Sequence, residues 1–231
     1  MHSNSYTLRY AIFFTAGVAI ILALAASSLR PLQQQNIAQA KRASILQSVM
    51  TVNTETLEQD YNTFITERVF GIDGQEKAGE SAFTLDLKKE MKQADDIRRF
   101  PLYVFNKDGQ TRYIIPLQGK GLWGPISAFL ALDADLNTIS GVIFEHEKET
   151  PGLGAEINTT QFEEQFQGKQ IFTETGEFAS VRVLKGSGND VSGNAHLADG
   201  LTGATMTTNG VNKMLSEEVE RYKKILTSIN S

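Results

Sequence analysis

The hydrophobic and polar positions of this chain divide it into an apolar amino-terminal run, a central region of strand patterns and an amphipathic carboxy-terminal stretch. Residues 11–29 form an uncharged, mostly apolar run, and about 20 such residues suffice to span a bilayer as a helix. We therefore predict a single transmembrane helix over 11–29, after a short amino-terminal segment, 1–10. A cleaved signal peptide is the alternative, because Ala23-Leu24-Ala25 resembles a small-residue cleavage site.

Beyond this run the periodicity becomes helical and then alternating. Residues 30–100 predict a helical stalk leading into a domain, which we place at 101–231. The turn Asn106-Lys107-Asp108-Gly109 lies between two strand patterns, which is typical of a β-hairpin. The predicted elements are helices at 33–50, 54–69 and 159–166, hairpins at 102–117 and 126–144, and a strand at 179–184.

The carboxy-terminal stretch has the strongest helical pattern. Its apolar side chains share one stripe, with charged residues around the remainder. The stripe consists of Val211, Met214, Leu215, Val219, Tyr222, Ile225 and Leu226. Because hairpins outnumber β-α-β patterns, we predict an α+β fold: a single N-terminal transmembrane helix followed by a mainly antiparallel sheet domain with helices and a C-terminal amphipathic helix.

Composition excludes several kinds of chemistry. The chain has no cysteine, which removes iron–sulfur ligation, disulfides and thiol catalysis. A net charge of −5 argues against a nucleic-acid partner. The three histidines are scattered, so we expect no metal site. If the protein carries electrons, an organic cofactor must do so.

The first loop of interest is Gly119-Lys120-Gly121-Leu122-Trp123-Gly124, which matches the G-x-G-x-x-G pattern of dinucleotide-binding proteins. That pattern requires the last glycine to open a helix, but here Pro125 follows and then a strand pattern. We therefore expect no Rossmann-type nucleotide site. Trp123 is either a core residue or an indole that contacts a flat ring.

Two further segments carry chemistry. The first, Glu145 to Gly154, ends a strand in polar residues and then turns at Pro151. The second, Asp199 to Thr205, directly precedes a helical pattern, so the Thr205 hydroxyl lies where unpaired N–H groups and the helix dipole would hold a phosphate. A threonine in this position is also a common helix N-cap.

In this order, G-x-G-L-W-G, H-x-x-E-T-P-G-L-G and D-G-L-T-G-A-T before a terminal helix resemble the C subunit of the sodium-translocating NADH:quinone oxidoreductase. The resemblance covers nearly the whole chain. It implies that 101–231 is an FMN-binding domain in which Thr205 carries FMN through a phosphoester bond, with Thr202, Gly203 and Ala204 completing the attachment loop. It also implies that Asp199 is recognised by the flavin transferase.

The same resemblance implies which residues surround the flavin ring. The implied contacts are Trp123 and Leu153 on its faces, Glu149, Thr150 and Gly152 at its polar edge, and Lys185 as a positive charge near it. No catalytic acid or base is needed, because the implied role is one-electron transfer from an iron–sulfur centre toward the flavin of a neighbouring subunit. In the complex this transfer is coupled to Na⁺ export, and the isolated protein is not expected to oxidise NADH.

The resemblance also bears on location and partners. It places the protein in the bacterial cytoplasmic membrane as a single-pass member of the oxidoreductase complex, with the short segment 1–10 in the cytoplasm and the main domain on the periplasmic face. Charge alone favours the opposite orientation, because Arg9 precedes the apolar run while Arg30, Lys41 and Arg42 follow it. Two alternatives stay open: the FMN-bearing G subunit of the related ferredoxin/NAD electron-transport complex, and a membrane-tethered binding module without redox activity.

Overall fold

The computed structural model describes residues 4–229. By its internal contacts the chain divides into an amino-terminal part up to Arg42 and a compact unit from Ala43 onward. The regular elements are α1 (Asn4–Gln47), α2 (Leu57–Phe64), β1 (Ile65–Phe70), α3 (Leu87–Glu90), β2 (Phe100–Lys107), β3 (Gln110–Lys120), β4 (Pro125–Leu132), β5 (Ile139–His146), α4 (Thr160–Glu163), β6 (Arg182–Val183), β7 (Leu197–Ala198), α5 (Thr205–Lys213) and α6 (Val219–Ile229). Short 3₁₀ segments flank α4, and a π-helical turn, Met214–Glu218, joins α5 to α6.

The amino-terminal part is helical. Within residues 4–229, α1 is the one helix long and apolar enough to cross a membrane. Its apolar side chains, such as Phe13 and Ile21, are exposed, which fits a single-pass membrane anchor. The run at 11–29 and most of the helix predicted at 33–50 form one continuous helix that includes Pro31.

The compact unit contains a five-stranded sheet in the order β1-β2-β3-β4-β5, with every neighbouring pair antiparallel. This arrangement confirms the predicted α+β class and both hairpins. The β2–β3 turn is made by Asp108 and Gly109, both with positive φ, the conformation that two-residue hairpin turns require.

Side chains alternate across the sheet and form a core on each face. On one face Ile115 and Leu117 of β3 pack with the carboxy-terminal helices and with Phe162 and Phe166. On the other face Ile114 packs with Ile45 and Leu46 at the end of α1. Both faces of the sheet are therefore covered by packed apolar side chains.

Two predicted boundaries differ from the structure. The helix predicted over 54–69 ends at Phe64, and the residues that follow form β1, which pairs with β2 in register Ile65 to Phe105. The globular part therefore begins before residue 101. The strand predicted over 179–184 is reduced to β6, which pairs in parallel with β7. Both differences arise from long-range pairing, which a local hydrophobic pattern does not reveal.

Candidate functional site

Thr205 is the first residue of α5. The N-cap position is Ala204, whose side chain makes no capping bond, and the Thr208 N–H donates to the Ala204 carbonyl at 2.8 Å. The backbone N–H groups of the first helical turn have no acceptor inside the helix. Thr205 therefore does not occupy the capping position, and it lies among N–H groups that have no acceptor within α5.

The G-x-G-L-W-G segment forms the turn between β3 and β4. Lys120 pairs with Pro125, and the Gly121 N–H donates to the Gly124 carbonyl at 2.8 Å. Trp123 lies at the tip of this turn with 64% of its surface exposed. The tryptophan is thus not a core residue, and the segment is a hairpin turn that opens no helix.

Glu149 connects the three predicted loops. Its side chain is only 5% exposed. One carboxylate oxygen accepts from the N–H groups of Trp123 at 2.8 Å and Gly124 at 3.3 Å, and the other accepts from the Thr207 hydroxyl at 2.5 Å. The hairpin turn, the Glu149 turn and the first turn of α5 are therefore held together by one buried carboxylate.

Hydrogen bonding keeps this carboxylate ionised. Desolvation on burial acts to raise the pKa of Glu149, but the Thr207 hydroxyl and the backbone N–H groups of Trp123, Gly124 and Leu122 outweigh it, so the pKa lies below its ordinary value. Both oxygens of the ionised carboxylate accept hydrogen bonds from donors within the protein, and we call this set of three bonds the Glu149 clasp.

A cleft of about 260 Å³ lies between these loops. It brings together seven of the predicted site residues: Trp123, Glu149, Thr150, Leu153, Gly203, Ala204 and Thr205. Four more residues line it that were not among the predicted contacts: Leu122, Gly154, Met206 and Thr207. The side chains of Leu122, Trp123, Leu153 and Met206 are exposed, so the cleft presents an apolar surface to solvent.

Gly203 allows the attachment loop to approach this surface. Its φ is +78°, a backbone conformation that residues other than glycine rarely adopt. A Cβ atom at this position would lie 2.6 Å from Cδ2 of Leu153. The glycine therefore provides both the backbone turn before α5 and the space beside Leu153.

Thr205 also borders a second cleft of about 260 Å³, where Lys185 is found. Arg182 and the buried Thr208 line it too. Oγ1 of Thr208 has no hydrogen-bond partner among residues 4–229, although Thr208 is only 3% exposed. Thr205 thus borders both an apolar cleft and a basic one.

The three remaining predicted residues, Gly152, Thr202 and Asp199, make contacts within the protein. Gly152 has a φ of +75° and donates its N–H to Glu156 at 2.8 Å. The hydroxyl of Thr202 lies 2.6 Å from that of Ser187. None of the three lines either cleft, which separates them from the residues gathered around Thr205.

Asp199 holds a loop beside the second cleft. Its carboxylate accepts from the N–H groups of Gly188 at 2.7 Å and Asn189 at 3.0 Å, and from the Asn189 amide at 2.7 Å. Desolvation acts to raise the pKa of Asp199, but these bonds and that from the Gly200 N–H outweigh it and lower the pKa. The predicted recognition residue therefore organises the loop at 186–189.

No group of three or more histidine, aspartate and glutamate side chains in the described part of the chain is arranged to hold a metal ion. Of the residues missed by the sequence, Thr208 had a usable signal, since it lies three positions after Thr205 on a helix. Met206 and Arg182 had none, because their exposure at the clefts depends on how α5 and β6 pack.

Comparison with known proteins places this site in a recognised domain. The FMN-binding domain family matches residues 121–220. The chain is 30% identical to the C subunit of the Na(+)-translocating NADH-quinone reductase of Vibrio alginolyticus, covering 91% of this chain and 90% of that one. It is 31% identical to the corresponding protein of Pseudomonas aeruginosa, covering 92% and 90%.

Solved structures agree with the fold. The crystal structure of the C subunit of the Na(+)-translocating NADH-quinone reductase from Parabacteroides distasonis superimposes with a TM-score of 0.77 at 40% identity, covering 86% of this chain and 97% of that one. NqrC of Shewanella oneidensis gives a TM-score of 0.71 at 23% identity, covering 84% and 97%; the second match supports the fold alone.

Proposed function

This chain belongs to the family of the C subunits of Na⁺-translocating NADH-quinone reductases, and from that premise we propose that it carries FMN esterified to Thr205. The observation that supports this most strongly is the position of Thr205: it begins α5 and borders both the apolar and the basic cleft. FMN has a flat aromatic ring at one end and a phosphate at the other. The two clefts offer surfaces of matching character on either side of one hydroxyl.

The residues present fit this cofactor. Trp123 and Leu153 offer an exposed indole and an exposed branched side chain at one cleft, and such surfaces suit an aromatic ring. The buried Thr208 hydroxyl, without a partner among residues 4–229, lies at the other cleft, where a phosphate oxygen would satisfy it. When bound, FMN supplies a group that accepts and releases electrons one at a time.

We propose that attachment is a group transfer to the Thr205 hydroxyl. In this transfer a bond would form between Thr205 Oγ and the phosphorus in the flavin half of a flavin dinucleotide, the phosphoanhydride would break to release the nucleotide half, and the proton of the hydroxyl would pass to solvent. A flavin transferase supplies the catalysis, and Asp199 is the residue we expect it to recognise. The contacts of Asp199 within the protein support a role in presenting the loop at 186–189.

The proposed role of the loaded protein is a one-electron relay inside the membrane complex. Electrons arrive from an iron–sulfur centre of another subunit and leave toward the flavin of a neighbouring subunit, and the complex couples this flow to Na⁺ export. The exposure of Trp123 and Met206 supports a cofactor accessible to partners. Such a relay requires no acid–base residue in this chain.

We further propose that the compact unit lies on the periplasmic face of the cytoplasmic membrane. The family resemblance implies that flavin transfer takes place there, which is the basis of the proposal. The basic residues after the apolar run favour the cytoplasm, but long domains translocate largely regardless of such charges. Labelling of the compact unit from outside intact cells tests this orientation directly.

The attachment itself is tested by comparing the wild-type chain with Thr205→Val, both expressed with the flavin transferase. The wild-type band should retain flavin fluorescence after denaturing electrophoresis, whereas the variant should be dark and equally well folded, because the substitution removes only the esterified hydroxyl. Equal fluorescence in the two bands would refute the assignment to Thr205.

A further inference from the structure

The second cleft is built on one face of α5. Thr205, Thr208, Asn209 and Asn212 all line it, and this spacing places side chains along a single face of a helix. The hydroxyls of Thr205 and Thr208 are thus one helical turn apart. A group esterified to the first residue is within reach of the second.

The opposite wall of this cleft is fixed in place by Asn212. Its side-chain oxygen accepts from the Val183 N–H at 2.7 Å, and its side-chain nitrogen donates to the Val183 carbonyl at 2.9 Å. This pair of bonds attaches the two-residue strand β6 to α5. Arg182, the first residue of β6, and Lys185, two residues after the end of β6, are thereby held at the cleft beside Thr205.

The cleft has the electrostatic character of an anion site. Among the described residues, its lining contains two basic side chains and no acidic one, although the chain as a whole carries a net charge of −5. The N-terminal end of α5 adds the positive end of the helix dipole. Thr208 also lines the cleft, and its Oγ1 is buried and without a hydrogen-bond partner among residues 4–229.

A buried hydroxyl without a partner is unusual, because such groups normally have a hydrogen-bond partner within the protein or from a ligand. We infer that the second cleft is the phosphate subsite of the attached FMN, in which the Thr208 hydroxyl donates a hydrogen bond to a phosphate oxygen and Arg182 and Lys185 balance its charge. This inference rests on the proposed attachment at Thr205.

The assignment divides the cofactor between the two clefts. The ring belongs to the apolar cleft with Trp123 and Leu153, and the phosphodiester, which carries one negative charge, belongs to the basic cleft. Lys185 then acts on the phosphate, whereas the family resemblance implied a place near the ring. Thr208 is a positioning residue for the ester bond and takes no part in electron transfer.

The first test uses apo protein, produced as the full chain in a host without flavin transferase. Thr208→Val removes a hydroxyl that has no partner in the described part of the chain, so its unfolding midpoint should equal or exceed that of the wild type. Thr207→Val is the matched control one residue away. It removes the donor to Glu149, so its midpoint should fall.

The second test observes the phosphoester directly by ³¹P NMR of the flavin-loaded full chain. The ³¹P resonance of Thr208→Val should be displaced from that of the wild type, and Thr208→Ser, which restores the hydroxyl, should return it. A Thr208→Val protein that folds but takes up no flavin, while Thr208→Ser is loaded normally, would also support the subsite. Identical ³¹P resonances in wild type and Thr208→Val would overturn it.

The surface pair provides an independent variant whose folding is secure, since Arg182 and Lys185 are exposed. Arg182→Gln combined with Lys185→Gln should move the ³¹P resonance while leaving the apo midpoint unchanged. An unmoved resonance would overturn the charge assignment. Absence of any phosphoester resonance from the wild type, in contrast, would refute attachment at Thr205 and not merely the subsite.

Discussion

The clasp formed by Glu149 gives the sharpest prediction about how the site is built. Its carboxylate accepts three hydrogen bonds, from two N–H groups of the hairpin turn and from the Thr207 hydroxyl. Glu149→Gln keeps the shape but removes the charge, Thr207→Val removes one donor, and the double variant removes both features. These three variants with the wild type form a double-mutant cycle.

The expected magnitudes follow from the contacts. A hydrogen bond to a charged group contributes about 1.5–3 kcal/mol net and a neutral one about 0.5–1.5 kcal/mol. Neutralising Glu149 weakens three such bonds by about 1 kcal/mol each, so Glu149→Gln should cost about 3 kcal/mol. Thr207→Val should cost about 2 kcal/mol, with a coupling of about 1–2 kcal/mol because the two residues share one bond.

The assay is denaturant unfolding of the apo full chain in detergent, at pH 7 and in acid. Because the pKa of Glu149 is lowered in the folded state, its stabilisation is complete above the ordinary value of 4.5 and is lost as the pH falls through the folded pKa. The cost of Glu149→Gln should therefore shrink in acid. Single-variant costs that add within about 0.5 kcal/mol, or a pH-independent cost, would refute the clasp.

Two further predictions concern pH and orientation. Burial raises the pKa of Glu163 to about 7, against the opposing effect of the Phe144 N–H, so the folded protein loses stability as the pH rises from 4.5 through 7. Each pKa unit is worth about 1.4 kcal/mol, so the shift bounds this loss at about 3 kcal/mol. The partial exposure of Glu163 reduces the expected loss to roughly 1–2 kcal/mol. Glu163→Gln should accordingly gain that much over the wild type at pH 8 and nothing at pH 4, measured by unfolding midpoints, and a gain at both pH values would contradict the cause. The chain lacks cysteine, so Glu174→Cys in the compact unit should react with a membrane-impermeant maleimide in intact cells, and Ser5→Cys should react only after lysis; the reverse pattern would place the compact unit in the cytoplasm.

Elements with local signals could be predicted from the sequence. The Asp108-Gly109 turn fixes the first hairpin through positive φ at both residues, and the apolar stripe from Val211 to Leu226 predicts the end of α5 and the helix α6. β1 could not be predicted in this way, because its strand character depends on pairing with β2, which lies farther along the chain. The same holds for β6, whose position depends on Asn212.

The site was predictable to a similar degree. The three motifs identified the loops that meet at Thr205, since each loop carries an unusual local sequence. Their joining by Glu149 was not predictable, because its partner Thr207 lies 58 positions away. The basic cleft was missed for the same reason: Arg182 and Thr208 come together only when β6 packs on α5.

Flavin attachment is tested most directly by the mass of the peptide that contains Thr205. The protein should be purified from a host that expresses the flavin transferase, denatured, washed free of unbound flavin and digested. We expect that peptide to carry the added mass of FMN joined by a phosphoester, with fragmentation assigning it to Thr205. An unmodified Thr205 in that preparation, or FMN on another residue, would contradict the proposed function.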